Sequence, residues 1–295
     1  MKNMKTIKSV VAMLVMVLAL GCVSITAEAA TKTKKMTMYV GETFSYWYTG
    51  MGTVKSVKTS KKKVVAAKKV KKGSTIYNQM TAKKKGSAKV TVKGTRGTYV
   101  YNITVKATPK IEVSFVPRAD GYLTVNVNNK SKVNFDSVTV NITYKDVAGN
   151  VLGSDTANVC YLGAKKSAAD DVYPYVYPYD EASIDWNQTT FEVIYDRDPD
   201  YKYTDYTKKI KWTESVSNGY LNITTKTTYK GDNSIYAAFS VLFYDAAGNV
   251  VGVTDGYNFL SGSKKYRTST YDMRMPSDAV SYTITKRAFM KKYSK

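Results

Sequence analysis

Apolar and polar residues alternate with a period of two along most of this chain. Met36, Met38 and Val40 are separated by polar residues, as are Val90 and Val92, and then Tyr99, Tyr101, Ile103 and Val105. Period two puts such residues on one face of a strand. Turn residues punctuate these runs at Gly50-Met51-Gly52, Lys72-Gly73-Ser74, Lys85-Gly86-Ser87 and Lys93-Gly94. The pattern predicts an antiparallel β-sandwich over residues 30–108.

The remainder reads as two copies of one unit. Gly121-Tyr122-Leu123 recurs as Gly219-Tyr220-Leu221, and Asp146-Val147-Ala148-Gly149-Asn150-Val151 as Asp245-Ala246-Ala247-Gly248-Asn249-Val250. Val138, Val140, Ile142 and Tyr144 recur as Ala237, Phe239, Val241 and Phe243. Lys165-Lys166 recurs as Lys264-Lys265, and Pro178-Tyr179-Asp180 as Pro276-Ser277-Asp278, all at an offset of 98 or 99. A fixed offset of this kind marks an internal repeat. The expected copies span 109–208 and 209–295, each a sandwich of about seven strands. In both, an apolar strand runs into Asp-x-Ala-Gly-Asn, a hairpin turn in which Gly and Asn tolerate positive φ. Leu123, Val125 and Val127 predict another strand, as do Phe191, Val193 and Tyr195.

The first residues carry a targeting pattern. Lys2, Lys5 and Lys8 precede an apolar run from Val10 to Val23, and Ala27-Glu28-Ala29 fits a small-residue cleavage site. This predicts a signal peptide over 1–29 and a secreted chain beginning at Ala30. Ala19-Leu20-Gly21-Cys22 fits a lipid-attachment signal less well. After cleavage no apolar run is long enough to span a bilayer. Cys160 is then the one remaining cysteine, without a disulfide partner, and reads as a small apolar residue.

Charge is distributed very unevenly. Between Ala30 and Lys110 lie 20 of the 45 Lys and Arg residues, against the single acid Glu42. The 185 residues that follow are close to neutral. Lys61, Lys62, Lys63, Lys68, Lys69, Lys71, Lys72, Lys83, Lys84 and Lys85 are expected at or near turns. A surface made only for solubility mixes signs. Like charges within a Debye length, about 8 Å at physiological salt, repel. An anionic cell-wall or extracellular polysaccharide would relieve that repulsion. Nucleic acid is not expected, because the chain has a secretory signal and no base-reading motif.

Two resemblances follow from particular residues. Val40-Gly41-Glu42-Thr43, Val64-Val65-Ala66-Ala67 and the segment Ala82 to Val92 resemble the bacterial Ig-like domain, group 2, in landmark order. Val57 stands near the place where many members of that family carry Trp. Val241-Leu242-Phe243-Tyr244-Asp245, followed by Gly248-Asn249-Val250, resembles the FxLYD domain. Both resemblances imply Ig-like sandwiches of secreted or surface proteins of bacteria, and neither implies a ligand.

Catalytic signatures are few. The chain has no His, which removes Ser-His-Asp triads, Cys-His pairs and His-ligated zinc. A carboxylate-pair glycosidase needs two acids about 5–10 Å apart in a cleft, whereas the acids here sit mainly at turns. Asp196-Arg197-Asp198-Pro199-Asp200 opens like a calcium loop, but Tyr201 and Thr207 occupy the positions where an EF-hand has Gly and Glu. No cofactor or metal is expected. Tyr173, Tyr175, Tyr177 and Tyr179, interleaved with Pro174, Val176 and Pro178, could stack on sugar rings or contact a host or neighbouring surface protein. They suit better an extended edge strand guarded by Pro, with Tyr271 to Pro276 as counterpart. Trp47 lies between Tyr46 and Tyr48, so one face of its strand presents an aromatic to a neighbour or ligand. Trp186 and Trp212 are expected in cores.

The sequence thus predicts an all-β, non-enzymatic protein: tandem Ig-like β-sandwich domains after a cleaved signal peptide, held at the bacterial surface by a polybasic first domain. The competing readings are a carbohydrate-binding module built on the Tyr/Pro-rich segments and a structural spacer without a ligand.

Overall fold

A computed structural model describes residues 31–46, 51–176 and 180–293. The expected signal peptide, Cys22 and Trp47 therefore lie outside the described residues, as do Tyr177, Pro178 and Tyr179. The described chain is all-β. Its helical content is three single 3₁₀ turns at Glu181–Ser183, Thr207–Lys209 and Lys264–Tyr266. Chain contacts divide it into two compact units, one ending at Thr108 and one beginning at Pro109.

The first unit is a sandwich of seven strands: β1 (Thr31–Tyr39), β2 (Thr43–Tyr46), β3 (Val54–Thr59), β4 (Val65–Lys72), β5 (Thr75–Ala82), β6 (Gly86–Gly94) and β7 (Thr98–Lys106). One sheet has the order β1-β7-β6-β3 and the other β2-β5-β4. The alternating residues fill the space between them. Met38, Val65, Met80, Val90, Val92 and Ile103 are buried there. β1 runs parallel to β7, from Thr31 beside Thr98 to Tyr39 beside Lys106. At the β4–β5 hairpin Gly73 adopts φ +58°, a left-handed conformation that suits glycine.

The second unit holds both repeats. The first copy contributes β8 (Ile111–Pro117), β9 (Leu123–Asn129), β10 (Ser137–Lys145), β11 (Val151–Cys160), β12 (Ser167–Val172) and β13 (Thr190–Asp196). The second contributes β15 (Ile210–Ser217), β16 (Tyr220–Thr227), β17 (Ser234–Tyr244), β18 (Val250–Leu260), β19 (Thr268–Arg274) and β20 (Ser281–Tyr293). The sheets are β12-β9-β8 with β11-β10-β13, then β15-β16-β19 with β14-β20-β17-β18, where β14 spans Tyr201–Asp205.

The strand β14 (Tyr201–Asp205) departs from the expected boundary at residue 208. It pairs with Phe289 to Tyr293 of β20, so the first sandwich has six strands and the second seven. Cross-strand aromatic pairs hold it there. Tyr201 meets Tyr293 at 5.6 Å between ring centres, and Tyr203 meets Phe289 at 5.3 Å.

The two Asp-x-Ala-Gly-Asn hairpins are alike in detail. Asp146 Oδ1 accepts the backbone N–H groups of Ala148 and Asn150, and Asp245 does the same for Ala247 and Asn249. The constant offset ends after them. Leu123 pairs with Val172 but Leu221 with Met273, so Tyr173 corresponds to Arg274 and Tyr271 to Asp170. The expected match of Tyr173 with Tyr271 is thereby corrected. The cause is a changed loop between β11 and β12, followed by a longer connection between β12 and β13 than between β19 and β20.

The outer faces of the two equivalent sheets differ in chemistry. On β10 the outward residues are Thr139, Asn141 and Thr143; on β17 their counterparts are Ala238, Ser240 and Leu242. β10 alternates buried and half-buried positions, whereas Ala237 to Val241 of β17 are buried without interruption. The first copy covers this face of the second. Ser240 Oγ accepts the N–H of Ala169 on β12, and Asp255 Oδ1 accepts the N–H of Cys160. Arg287, only 1% exposed, donates to the Cys160 carbonyl, to Ser240 Oγ and to Asp255. Cys160 is half-buried at this junction and contributes mainly through its backbone. Burial pushes its thiol pKa up. Tyr161 completes the junction by stacking on Tyr236 at 4.2 Å.

Candidate polyanion-binding surface

The lysines singled out in the sequence do not form one patch. Lys61 to Lys63 sit in the turn between β3 and β4, and Lys83 to Lys85 in the connection from β5 to β6. These two segments are joined, because the Val64 carbonyl accepts the N–H groups of both Lys83 and Lys84. Six lysines thus gather at one end of the first sandwich, all exposed. Lys68, Lys69, Lys71 and Lys72 lie within β4 rather than in a turn, and β4 is an edge strand. Alternation splits them between its two sides. Lys69 and Lys71 pair with Asn78 and Ile76 on the inner side, and Lys69 Nζ reaches the Lys55 carbonyl at 3.1 Å. Lys68 and Lys72 are on the outer side.

Glu42 is the only acid among the described residues of this unit, and it is withdrawn from the surface. It is 7% exposed, and its Oε2 accepts the N–H of Tyr39 at 2.8 Å. Its neighbour Gly41 makes the turn with φ +95°. The carboxylate is used for this local turn, so the exposed part of the unit carries one sign of charge.

The aromatic segment of the second unit follows β12 directly, and its described residues 173–176 belong to no strand. Tyr173 and Tyr175 are 49% and 67% exposed, while Pro174 and Val176 between and after them are buried. The segment's described residues 173–176 have no ladder partner, so they do not form the expected edge strand. Tyr173 packs edge-on against Tyr122 at 5.2 Å. A hydrogen bond to Glu181, reinforced by its negative charge, raises the Tyr173 phenol pKa. The Arg118 guanidinium lies 5.1 Å from the Tyr122 ring centre and is fixed by Asp120 and Asp171. Tyr122 and Arg118 were not singled out as binding residues. The signal available was Gly121, whose φ of +85° lets the chain turn tightly beneath Tyr173.

Of the two tryptophans expected in cores, one is relocated. Trp186 is 37% exposed and packs edge-on against Tyr144, in the long β12–β13 connection rather than in a strand. Trp212 does pack against core residues of the second copy. In the acidic loop, Asp198 Oδ1 accepts the N–H of Asp200 and forms a turn that leads into β14. Among the described residues no cluster of three or more acids or cysteines is placed to hold a metal.

No family model and no curated protein matches the chain. Weak likenesses to solved structures exist. A Bacteroides ovatus mixed-linkage glucan utilization locus protein, SGBP-B in complex with a mixed-linkage heptasaccharide, aligns at 9% identity and a TM-score of 0.19, covering 87% of this chain and 72% of that one. The FN1–FN3 domains of chicken CNTN1 align at 9% identity and a TM-score of 0.19, covering 86% and 91%. Scores this low carry no argument about ligand or activity.

Proposed function

We propose that this is an exported, non-enzymatic protein whose first sandwich binds anionic cell-envelope or extracellular polysaccharide. The first sandwich is then a module of the bacterial Ig-like group 2 kind, and the two copies of the second unit act as a spacer. One observation carries this reading: the one acid among the described residues of the first unit is buried in a turn, so the exposed Lys61–Lys63 and Lys83–Lys85 have no exposed carboxylate among that unit's described residues to offset them. Such a surface attracts any polyanion, and the attraction weakens with salt.

The test is retention of the full chain on anionic and neutral polymers at about 50 and about 500 mM salt, where screening differs several-fold in range. Binding to anionic polymers at low salt and release at high salt is expected. Replacing the end cluster Lys61–Lys63 and Lys83–Lys85 with Gln should flatten that dependence. Equal retention on neutral polymers at both salts would overturn the proposal.

A second reading rests on Tyr122, Tyr173 and Tyr175, whose exposed rings beside Arg118 suit stacking on a neutral glycan. It requires salt-insensitive binding that is lost on replacing Tyr122 and Tyr173 with Ala.

A further inference from the structure

The outer face of the β1-β7-β6-β3 sheet was not singled out by any sequence motif. It carries a groove of about 620 Å³. Its side chains form two cross-strand rows. Lys35, Asn102 and Lys89 stand side by side on β1, β7 and β6, and Thr37, Thr104 and Ser87 form the row beside them. The floor is the sheet at Met36, Ala88 and Ile103, whose side chains point into the core. At one end Ser60 exchanges two hydrogen bonds with the Lys89 backbone, which fixes the rim. None of the lining residues is acidic.

Strand geometry sets the scale. Lys35 and Lys89 flank Asn102 two strands apart, about 10 Å, and the rows lie about 7 Å apart along the strands. A cationic row beside a hydroxyl row satisfies two different groups on one ligand. Ammonium groups suit anionic oxygens, and Thr, Ser and Asn side chains suit hydroxyls. A polymer with charge alone would leave the second row unused.

The geometry points to this groove as the site where an acidic polysaccharide, one bearing both anionic groups and free hydroxyls, is bound in register. The inference rests on the polyanion reading above and goes further, because it separates a fitted site from the diffuse attraction of the turn lysines.

The experiment measures binding of the full chain to dextran sulfate and alginate. Inorganic polyphosphate serves as a charged chain without hydroxyls, and dextran as an uncharged polyol. Two groove variants are compared with the wild type. One carries Lys35→Gln and Lys89→Gln; the other carries Thr37→Val and Thr104→Val, which keeps charge and strand propensity. Thermal unfolding confirms that each remains folded. The lysine variant should weaken all anionic polymers on the order of fivefold to tenfold. The threonine variant should weaken dextran sulfate and alginate several-fold while polyphosphate binding is unchanged. A response to sulfate or to carboxylate polymer alone identifies the anionic group. Wild-type-like binding by both groove variants, with loss only on replacing Lys61–Lys63 and Lys83–Lys85, overturns the groove and leaves the polyanion reading standing. Equal weakening of polyphosphate by the threonine variant overturns the polysaccharide assignment. If the wild type binds no anionic polymer at low salt, both readings fall.

Discussion

Arg287 on β20 donates two hydrogen bonds to the carbonyl oxygen of Cys160 on β11, from Nε at 3.2 Å and Nη2 at 2.9 Å. The same guanidinium pairs with buried Asp255. Both members of this desolvated ion pair belong to the second copy, and both bond the Cys160 backbone of the first, so the copies meet at a buried, charged junction. Removing one partner of such a pair leaves a buried charge uncompensated. Arg287→Met should cost the second unit about 3–5 kcal/mol, read from urea unfolding followed by tryptophan fluorescence. Adding Asp255→Leu to that variant should recover much of the loss. A cost equal to that of an exposed surface substitution would show that the junction opens in solution.

The same seam gives a pH dependence. Burial raises the Asp170 carboxyl to about 6, with nearby Asp255 and Asp171 adding to the rise against the Asn158 N–H that stabilises the anion. Because its folded pKa lies above the unfolded value, its contribution is fully present below about pH 4. It is lost as pH rises through about 6. The second unit should thus lose on the order of 3 kcal/mol at most from this residue between those limits. Asp170→Asn should flatten the curve in that window, as measured by denaturant midpoints at a series of pH values.

β4 presents an open edge lined with Lys68, Lys69, Lys71 and Lys72. Lysines on an edge prevent pairing with a second copy. Replacing all four with Thr should convert the protein to dimers or larger species by light scattering. If the variant stays monomeric and loses only polymer binding, the four lysines serve the ligand alone.

Gly153 sits where the chain after β12 crosses β11. A Cβ there would lie 2.4 Å from the Tyr175 carbonyl oxygen. Its counterpart Gly252 faces the Pro276 ring, whose Cγ would lie 2.6 Å from such a Cβ. Gly153→Ala should destabilise the second unit by about 1–3 kcal/mol through this overpacking. Gly149→Ala meets open space and bears only the strain of φ +83°, about 1–2 kcal/mol. Comparison of the two unfolding temperatures, together with Gly252→Ala, checks the assignment. Closely matched values for Gly153 and Gly252 are expected.

Much of the architecture was legible in the alternation itself. Val138, Val140 and Ile142 are buried as their spacing predicts, and the Asp-x-Ala-Gly-Asn hairpins fall where Gly and Asn stand. The run Ala237-Ala238-Phe239-Ser240-Val241 also held information that alternate residues alone do not show. Its outward positions Ala238 and Ser240 are small and uncharged, as suits a strand covered on both sides. What could not be read was pairing across the repeat boundary. β14 follows the first copy in sequence, but its ladder partner is β20, where Tyr201 and Tyr203 pack on Tyr293 and Phe289. The lysine list told charge but not placement, since a period of two sends neighbours such as Lys68 and Lys69 to opposite sides. The groove at Lys35, Asn102 and Lys89 escaped notice because its residues come from three separated strands and share no motif.

The parallel pairing of β1 with β7 gives the first sandwich a mechanical character. The strands enter and leave the unit at opposite ends of one ladder whose register runs from Thr31 beside Thr98 to Tyr39 beside Lys106. Tension between residues 31 and 106 slides the strands lengthwise past each other. All the ladder hydrogen bonds then bear the load in shear together, and none can be peeled first. A module wired in this way stays folded under a pull that would unzip an antiparallel hairpin, bond by bond.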